Sequence, residues 1–360
     1  MKRIAAGLLC LALCGSLCGC TNLFDGHYSS VTPHENPGQE AENQAVSAGN
    51  YTQLYDAVRS FVEQGRTEGV IGVSDYTPGL LKLDMERIVS EICRINPVAV
   101  YAVESIRYEQ GKSAGQMVVN LNITFNQDPA QLRDIQTVSG MEEAEAKVRL
   151  ALDEIRTGLV LRVKQYEAVD FVEMVNRYAM ECPQLVMEQP QITVKTYPEN
   201  SSDRVVELRF AYQTGRDSLR NMRAQVEPVF ESALLYVSGD GSAAEKYAQL
   251  YSFLMERYDY QIVSSITPAY SLLRHGVGDS KAFACVYAAM CRQAGLECLV
   301  VSGTCDGESR YWTIIGQDGA YFHVDLMEDR FIRRSDGNMV GYVWDYSAYP
   351  PCGIRLAELF

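Results

Sequence analysis

The 360-residue chain is 47% hydrophobic and 22% charged, enough globular material for two or three domains. Its 32 Lys and Arg stand against 46 Asp and Glu, a formal charge of −14 that argues against nucleic acid as a partner, since phosphates demand a basic face. Four His and the lack of any Cys-x-x-Cys pair argue against a zinc site, so no metal or cofactor is expected.

Residues 1–20, MKRIAAGLLCLALCGSLCGC, begin with Lys2 and Arg3 and continue in an apolar run from Ile4 to Leu17. That run is shorter than the roughly 20 residues of a membrane span, so the stretch reads as a targeting segment outside the fold. It ends in Leu17-Cys18-Gly19-Cys20, which resembles the bacterial lipoprotein signal. The resemblance implies lipidation of Cys20 and an extracytoplasmic protein held to a membrane by acyl chains, two of which suffice for stable anchoring. Residues 21–48 are rich in Ser, Asn, Gly, Pro and Glu and read as a flexible tether, with His27 and His34 as solvated spacers.

Two α-β-α-β-β repeat units are predicted next, over 49–136 and 137–240, the second with a connecting helix. In the first, YTQLYDAVRSFVEQG carries Leu54, Val58 and Phe61 at helical spacing, GVIGVSDY reads as a strand, and LDMERIVSEICRINP as a helix ended by Pro97. VYAVESIRY and QMVVNLNITF follow as strands, with Val119, Leu121 and Ile123 as one buried face. The second unit runs through MEEAEAKVRLALDEIRTG, LVLRVKQY, VDFVEMVNRYAMECP, PQITVKTY and RVVELRFAY. Asp84 and Asp170, Pro97 and Pro183, and Ile106 and Ile192 match at one offset of 86, and Tyr76 and Tyr166 at 90. Neither unit holds a chemical constellation, so both read as scaffold or binding surface. SLRNMRAQVEPVFESALLYVS and AAEKYAQLYSFLMERYDY then supply two amphipathic helices.

In the last domain, 241–360, GVGDSKAFACVYAAMCRQAGLECLVVSG reads as a Gly-led helix followed by a strand, and RYWTIIGQDGAYFHVD as two further strands. These segments, with the tail DGNMVGYVWDYSAYPPC, resemble the transglutaminase-like family, whose domain is a papain-like α+β fold. The resemblance covers roughly 242–352 and puts Ser280 where the family has its catalytic Cys, Arg310 where it has His, and Asp325 on its Asp. Its chemistry needs a thiolate and an imidazole base oriented by the carboxylate. A serine hydroxyl is far less acidic than a thiol, and a guanidinium never gives up its proton near neutrality. The expected function is therefore that of a surface-anchored lipoprotein with a non-catalytic domain that binds protein, peptide or cell-wall material or acts as scaffold.

Asp279 and Ser280 read as helix caps, and Arg310 with Asp325 as a bidentate ion pair. Rescue of a hydrolase or acyl-transferase activity would fall to Ser280 or to Cys285, but Cys285 lies about 140° round the helix from Ser280. His275, before the helix, and His323, two residues before Asp325, are the imidazoles placed to reach a cleft, and Trp312 reads as core packing ahead of the alternative of substrate stacking in that cleft. Seven Cys remain after the signal and the lipidated residue: Cys93, Cys182, Cys285, Cys291, Cys298, Cys305 and Cys352. Outside the cytoplasm one or two disulfides are expected among the last five, with the pairing open.

Overall fold

The computed structural model describes residues 46–353. The signal segment, Cys20, and His27 and His34 in the tether lie outside the described residues. Among those described, no helix is long and apolar enough to cross a membrane.

The first module opens with helix Tyr51–Glu63, started by the Asn50 side chain accepting from Gln53 N–H. It buries Leu54, Val58 and Phe61 as their spacing predicts. Strands Glu68–Gly72 and Val103–Ser113 flank Gln116–Phe125 in an antiparallel sheet, and helix Pro78–Ile95 packs on the same core. The hairpin between the last two strands turns on Ala114 and Gly115, both at positive φ, 50° and 81°. One element departs from the sequence reading. Residues 97–102 form a short helix, and the strand expected over 100–108 begins only at Val103. Asn96 accepts from Ala99 N–H at 3.0 Å and Pro97 occupies the first helical position, a start signal that overrides the β-branched run after it.

The second module repeats much of this order: helix Met141–Asp153, strand Gly158–Gln165, helix Phe171–Glu181 and strands Gln191–Tyr197 and Arg204–Ala211. Strand Gln136–Gly140 pairs in parallel with Gly158–Gln165, so this sheet is mixed, and it takes the edge place that Val46–Ser47 takes beside Glu68–Gly72 in the first sheet. The matched acids play different parts. Asp84 lies inside an 18-residue helix, whereas Asp170 caps an 11-residue one by accepting from Val172 and Glu173 N–H.

The remainder packs helices Arg216–Tyr236, Ala243–Met255, Pro268–His275 and Ser280–Gln293 against a four-stranded antiparallel sheet. Its strand order is Ala320–Val324, Glu308–Gln317, Cys298–Cys305, Tyr342–Trp344. Helix Ser280–Gln293 is apolar on nearly every side, so it can be stable only as a central rod. It buries all of Ala282 to Cys291. The Tyr287 hydroxyl donates to Tyr247 O at 3.0 Å, and the Tyr247 hydroxyl lies 2.6 Å from Glu297 O, tying the rod to a neighbouring helix and that helix to the sheet. The molecule is thus α+β, with small sheets ahead of a helix-and-sheet core.

Gly303 sets how closely the last strand approaches. A Cβ there would stand 2.2 Å from Val343 O and 2.8 Å from the Trp312 ring. Gly303→Ala is expected to push strand Tyr342–Trp344 outward and cost about 1–3 kcal/mol, typical of overpacking a filled core, read by denaturant unfolding.

Candidate functional site at the start of the buried helix

The site is built where helix Ser280–Gln293 begins. The lead-in, Val277–Gly278, pairs in parallel with Asp259–Tyr260, which brings the Tyr260 ring toward the sheet. Asp279 is the cap, accepting from Ala282 N–H at 2.9 Å. Ser280 is the first helical residue rather than a second cap. Its Oγ instead accepts from Tyr311 N–H, 3.2 Å away on strand Glu308–Gln317. A hydroxyl at the first helical position points outward from the helix end, and here the sheet claims it. Among the described residues, no imidazole or thiol hydrogen-bonds to Ser280.

Arg310 precedes Tyr311 on that strand. Register pairs Thr313 with Val324, so Arg310, Trp312, His323 and Asp325 share one face of two antiparallel neighbours. Arg310 Nε donates to Asp325 Oδ2 at 2.7 Å. The expected bidentate geometry is not adopted; the other carboxylate oxygen accepts from Met327 N–H at 2.8 Å. The Tyr342 hydroxyl completes the set, donating to Oδ2 at 2.7 Å. Asp325 keeps only 3% of its side-chain surface in water, so these three donors replace hydration of its charge. Burial works against the charge on Arg310, but the bond and charge of Asp325 outweigh it and raise its pKa. Burial first, and then Asp325, push Tyr342 up strongly, so its proton stays in place as a donor.

His323 is held elsewhere. The Trp312 indole N–H donates to His323 Nδ1 at 2.9 Å, and His323 Nε2 lies 2.8 Å from Asp336 Oδ1. An indole only donates, so Nδ1 carries no proton and Nε2 bears it toward Asp336. His323 is joined to Asp325 indirectly, since Trp312 meets Tyr342 edge-on with centroids 5.1 Å apart. His275 ends helix Pro268–His275 and stacks edge-on against Tyr270 at 5.2 Å.

His323, Asp336 and Cys352 bring their ligand-type atoms within 4.8 Å of one another, a cluster unannounced by sequence spacing. It suits a metal poorly. A metal-bound imidazole normally donates its other N–H outward. Here that nitrogen already accepts from Trp312, so Nε2 would have to shed its proton to an anionic ring. Burial, and then Asp336, also push the Cys352 thiol up to about 12.

Cys285 faces away from Ser280. It lines a crevice of about 220 Å³ with Lys281, Pro183, Met187, Glu188 and Ile266, where neither Ser280 nor Arg310 appears. Burial pushes its thiol up to about 12, so it is protonated near neutrality. All seven cysteines in the described residues are free thiols, in place of the expected disulfides. Cys291 and Cys298 come nearest to a pair, with their thiols in hydrogen-bonding contact inside the core.

Sequence reasoning missed Tyr342 and Tyr260. Tyr342 was legible only as part of an aromatic alternation with Trp344, and Tyr260 only through strand pairing. The Arg310 guanidinium carbon lies 5.9 Å from the Tyr260 ring centre.

His323 yields a pH prediction. Burial holds it below its ordinary 6.5, with the Asp336 bond pulling the other way. On acidification the unfolded chain takes up a proton that the folded one resists, so stability is lost as pH falls through that value. His323→Phe should cost about 1–3 kcal/mol near neutrality, by orphaning the indole N–H, yet flatten the acid limb of Tm between about pH 7 and 5.

Comparison with known proteins gives one family and several partial structural likenesses. Curated proteins give no match. Among solved structures, a TGase crystal structure overlaps 54% of this chain and 57% of its own, at 10% identity and a TM-score of 0.27. Legionella pneumophila LapG overlaps 36% of this chain and 74% of its own, at 12% identity and a TM-score of 0.25. The chain thus spans little more than half the length of the first. Residues 233–348 match the family described as the transglutaminase-like superfamily, so this stretch, which contains Ser280, Arg310, Asp325 and Tyr342, is a transglutaminase-like domain.

Proposed function

We propose that the chain is an extracytoplasmic lipoprotein, anchored through Cys20, whose transglutaminase-like domain holds protein, peptide or cell-wall material without cleaving it. One observation carries the non-catalytic reading: the carboxylate that would orient a base holds the Arg310 guanidinium, at 2.7 Å. Near neutrality a guanidinium takes no proton, and among the described residues no other base hydrogen-bonds to Ser280. Cys285 and His323 do not replace the missing pair, one by position and protonation, the other by its bonds to Trp312 and Asp336.

Binding is supported by the rim. Tyr260, whose ring lies beside Arg310, begins a segment that also exposes Ile262, Val263 and Ile266, and exposed apolar residues in a run are characteristic of interaction surfaces. The two modules before the domain are read as copies of one unit. Helices Tyr51–Glu63 and Met141–Asp153 are both 13 residues long and begin 90 residues apart. They serve as a spacer between the anchor and the domain.

The test has two arms. Calorimetry and pull-down against a panel of peptides and peptidoglycan fragments should find binding that Tyr260→Ala and Ile262→Ala weaken several-fold. Failure of the whole panel would leave only a structural role. Acyl-directed and thiol-directed covalent probes should leave Ser280 and Cys285 unmodified in the folded protein. Labelling abolished by Ser280→Ala or Cys285→Ala would instead make the chain a hydrolase or acyl transferase.

A further inference from the structure

We infer that Arg310 is a recognition residue for a carboxylate on the bound ligand, an inference that rests on the binding function proposed above. A buried salt bridge normally uses the guanidinium fully, as Arg162 does by meeting both oxygens of Asp203 at 3.0 and 2.9 Å. Arg310 does not. It meets Asp325 through Nε alone, and neither terminal nitrogen hydrogen-bonds to a described residue. The side chain keeps 20% of its surface open, while the Asp325 side chain keeps 3%. One edge of the fork is therefore clamped, and the other hydrogen-bonds to none of the described residues.

The clamp fixes where the other edge lies. Asp325 is itself immobilised by Tyr342 and by Met327 N–H, and the Tyr260 ring lies against the guanidinium. An arginine set in one orientation loses little entropy on meeting a ligand, and its paired terminal N–H groups match the two oxygens of a carboxylate. A neutral amide or hydroxyl offers one acceptor and no charge. The Arg310–Asp325 pair is neutral overall, so attraction is short-ranged and depends on that geometry, not on the field of a chain whose net charge is −14. Ile262 and Val263, exposed two and three residues after Tyr260, suit the apolar part of the same ligand. A peptide's terminal carboxylate and an acidic side chain offer the same chemistry.

Three probes separate the outcomes on the full chain: acetyl-Ala-Ala-Ala as free acid, the same peptide as C-terminal amide, and acetyl-Ala-Glu-Ala amide. Binding is followed by NMR at the Arg310 Nε–H resonance, assigned by its loss in Arg310→Gln. The free acid is expected to shift that resonance and bind roughly tenfold or more tightly than the amide, as for a charge-assisted bond. If the glutamyl peptide matches the free acid, any carboxylate suffices. If it matches the amide, the ligand is a chain terminus. Because Arg310→Gln leaves Asp325 buried and unpaired, Arg310→Gln/Asp325→Asn is made as well, and both variants should lose the preference for acid. Equal binding of acid and amide would overturn the inference while leaving the binding function standing. Silence from all three probes would overturn it too, and the binding function falls with it only if the wider panel also fails.

Discussion

A carboxylate almost wholly removed from water governs the site. Asp325 is buried at the end of a sheet strand, where an unpaired charge would cost several kcal/mol. Three donors from different parts of the chain, Arg310, Tyr342 and Met327, converge to satisfy it. Tyr342 reaches it only because Gly303 lets the last strand close on its neighbour. The side chain at one end of the cluster and the missing side chain at the other thus serve one electrostatic demand. A charge held this way is rigid, and rigidity lowers the entropy lost when a ligand meets the surface.

The buried helix is held by the core independently of the residue at its first position. Its faces pack on helices to one side and on the sheet to the other, so the chain from Ser280 to Gln293 is fixed by the core whatever stands at its first residue. Folding thus fixes the sides of the helix, while at its end Ser280 is an acceptor for Tyr311 N–H.

Much of this was legible in the sequence. The Gly-led helix, its Gly stop and the strands after it are marked by local signals, and the juxtaposition of Arg310 with Asp325 follows from the family resemblance. The short helix Pro97–Ala102 was obscured because its Val and Tyr residues favour strands, while the deciding signal was the Asn-Pro pair before them. Other features depend on distant segments. The pairing of Asp336 and Cys352 with His323 joins residues 13 and more apart across a loop. That Arg310 meets its carboxylate through Nε alone is likewise set by the tertiary arrangement, and no periodicity records it. The proposed lipidation of Cys20, outside the described residues, is a reading of the sequence.

Trp312 and Trp344 are the only two tryptophans of the chain, and their rings lie 5.8 Å apart against His323 and Tyr342. Indole emission is therefore a local gauge of this one sheet. An unfolding curve followed by it would be blind to the two modules ahead of residue 216, whose loosening calls for tyrosine signals or circular dichroism.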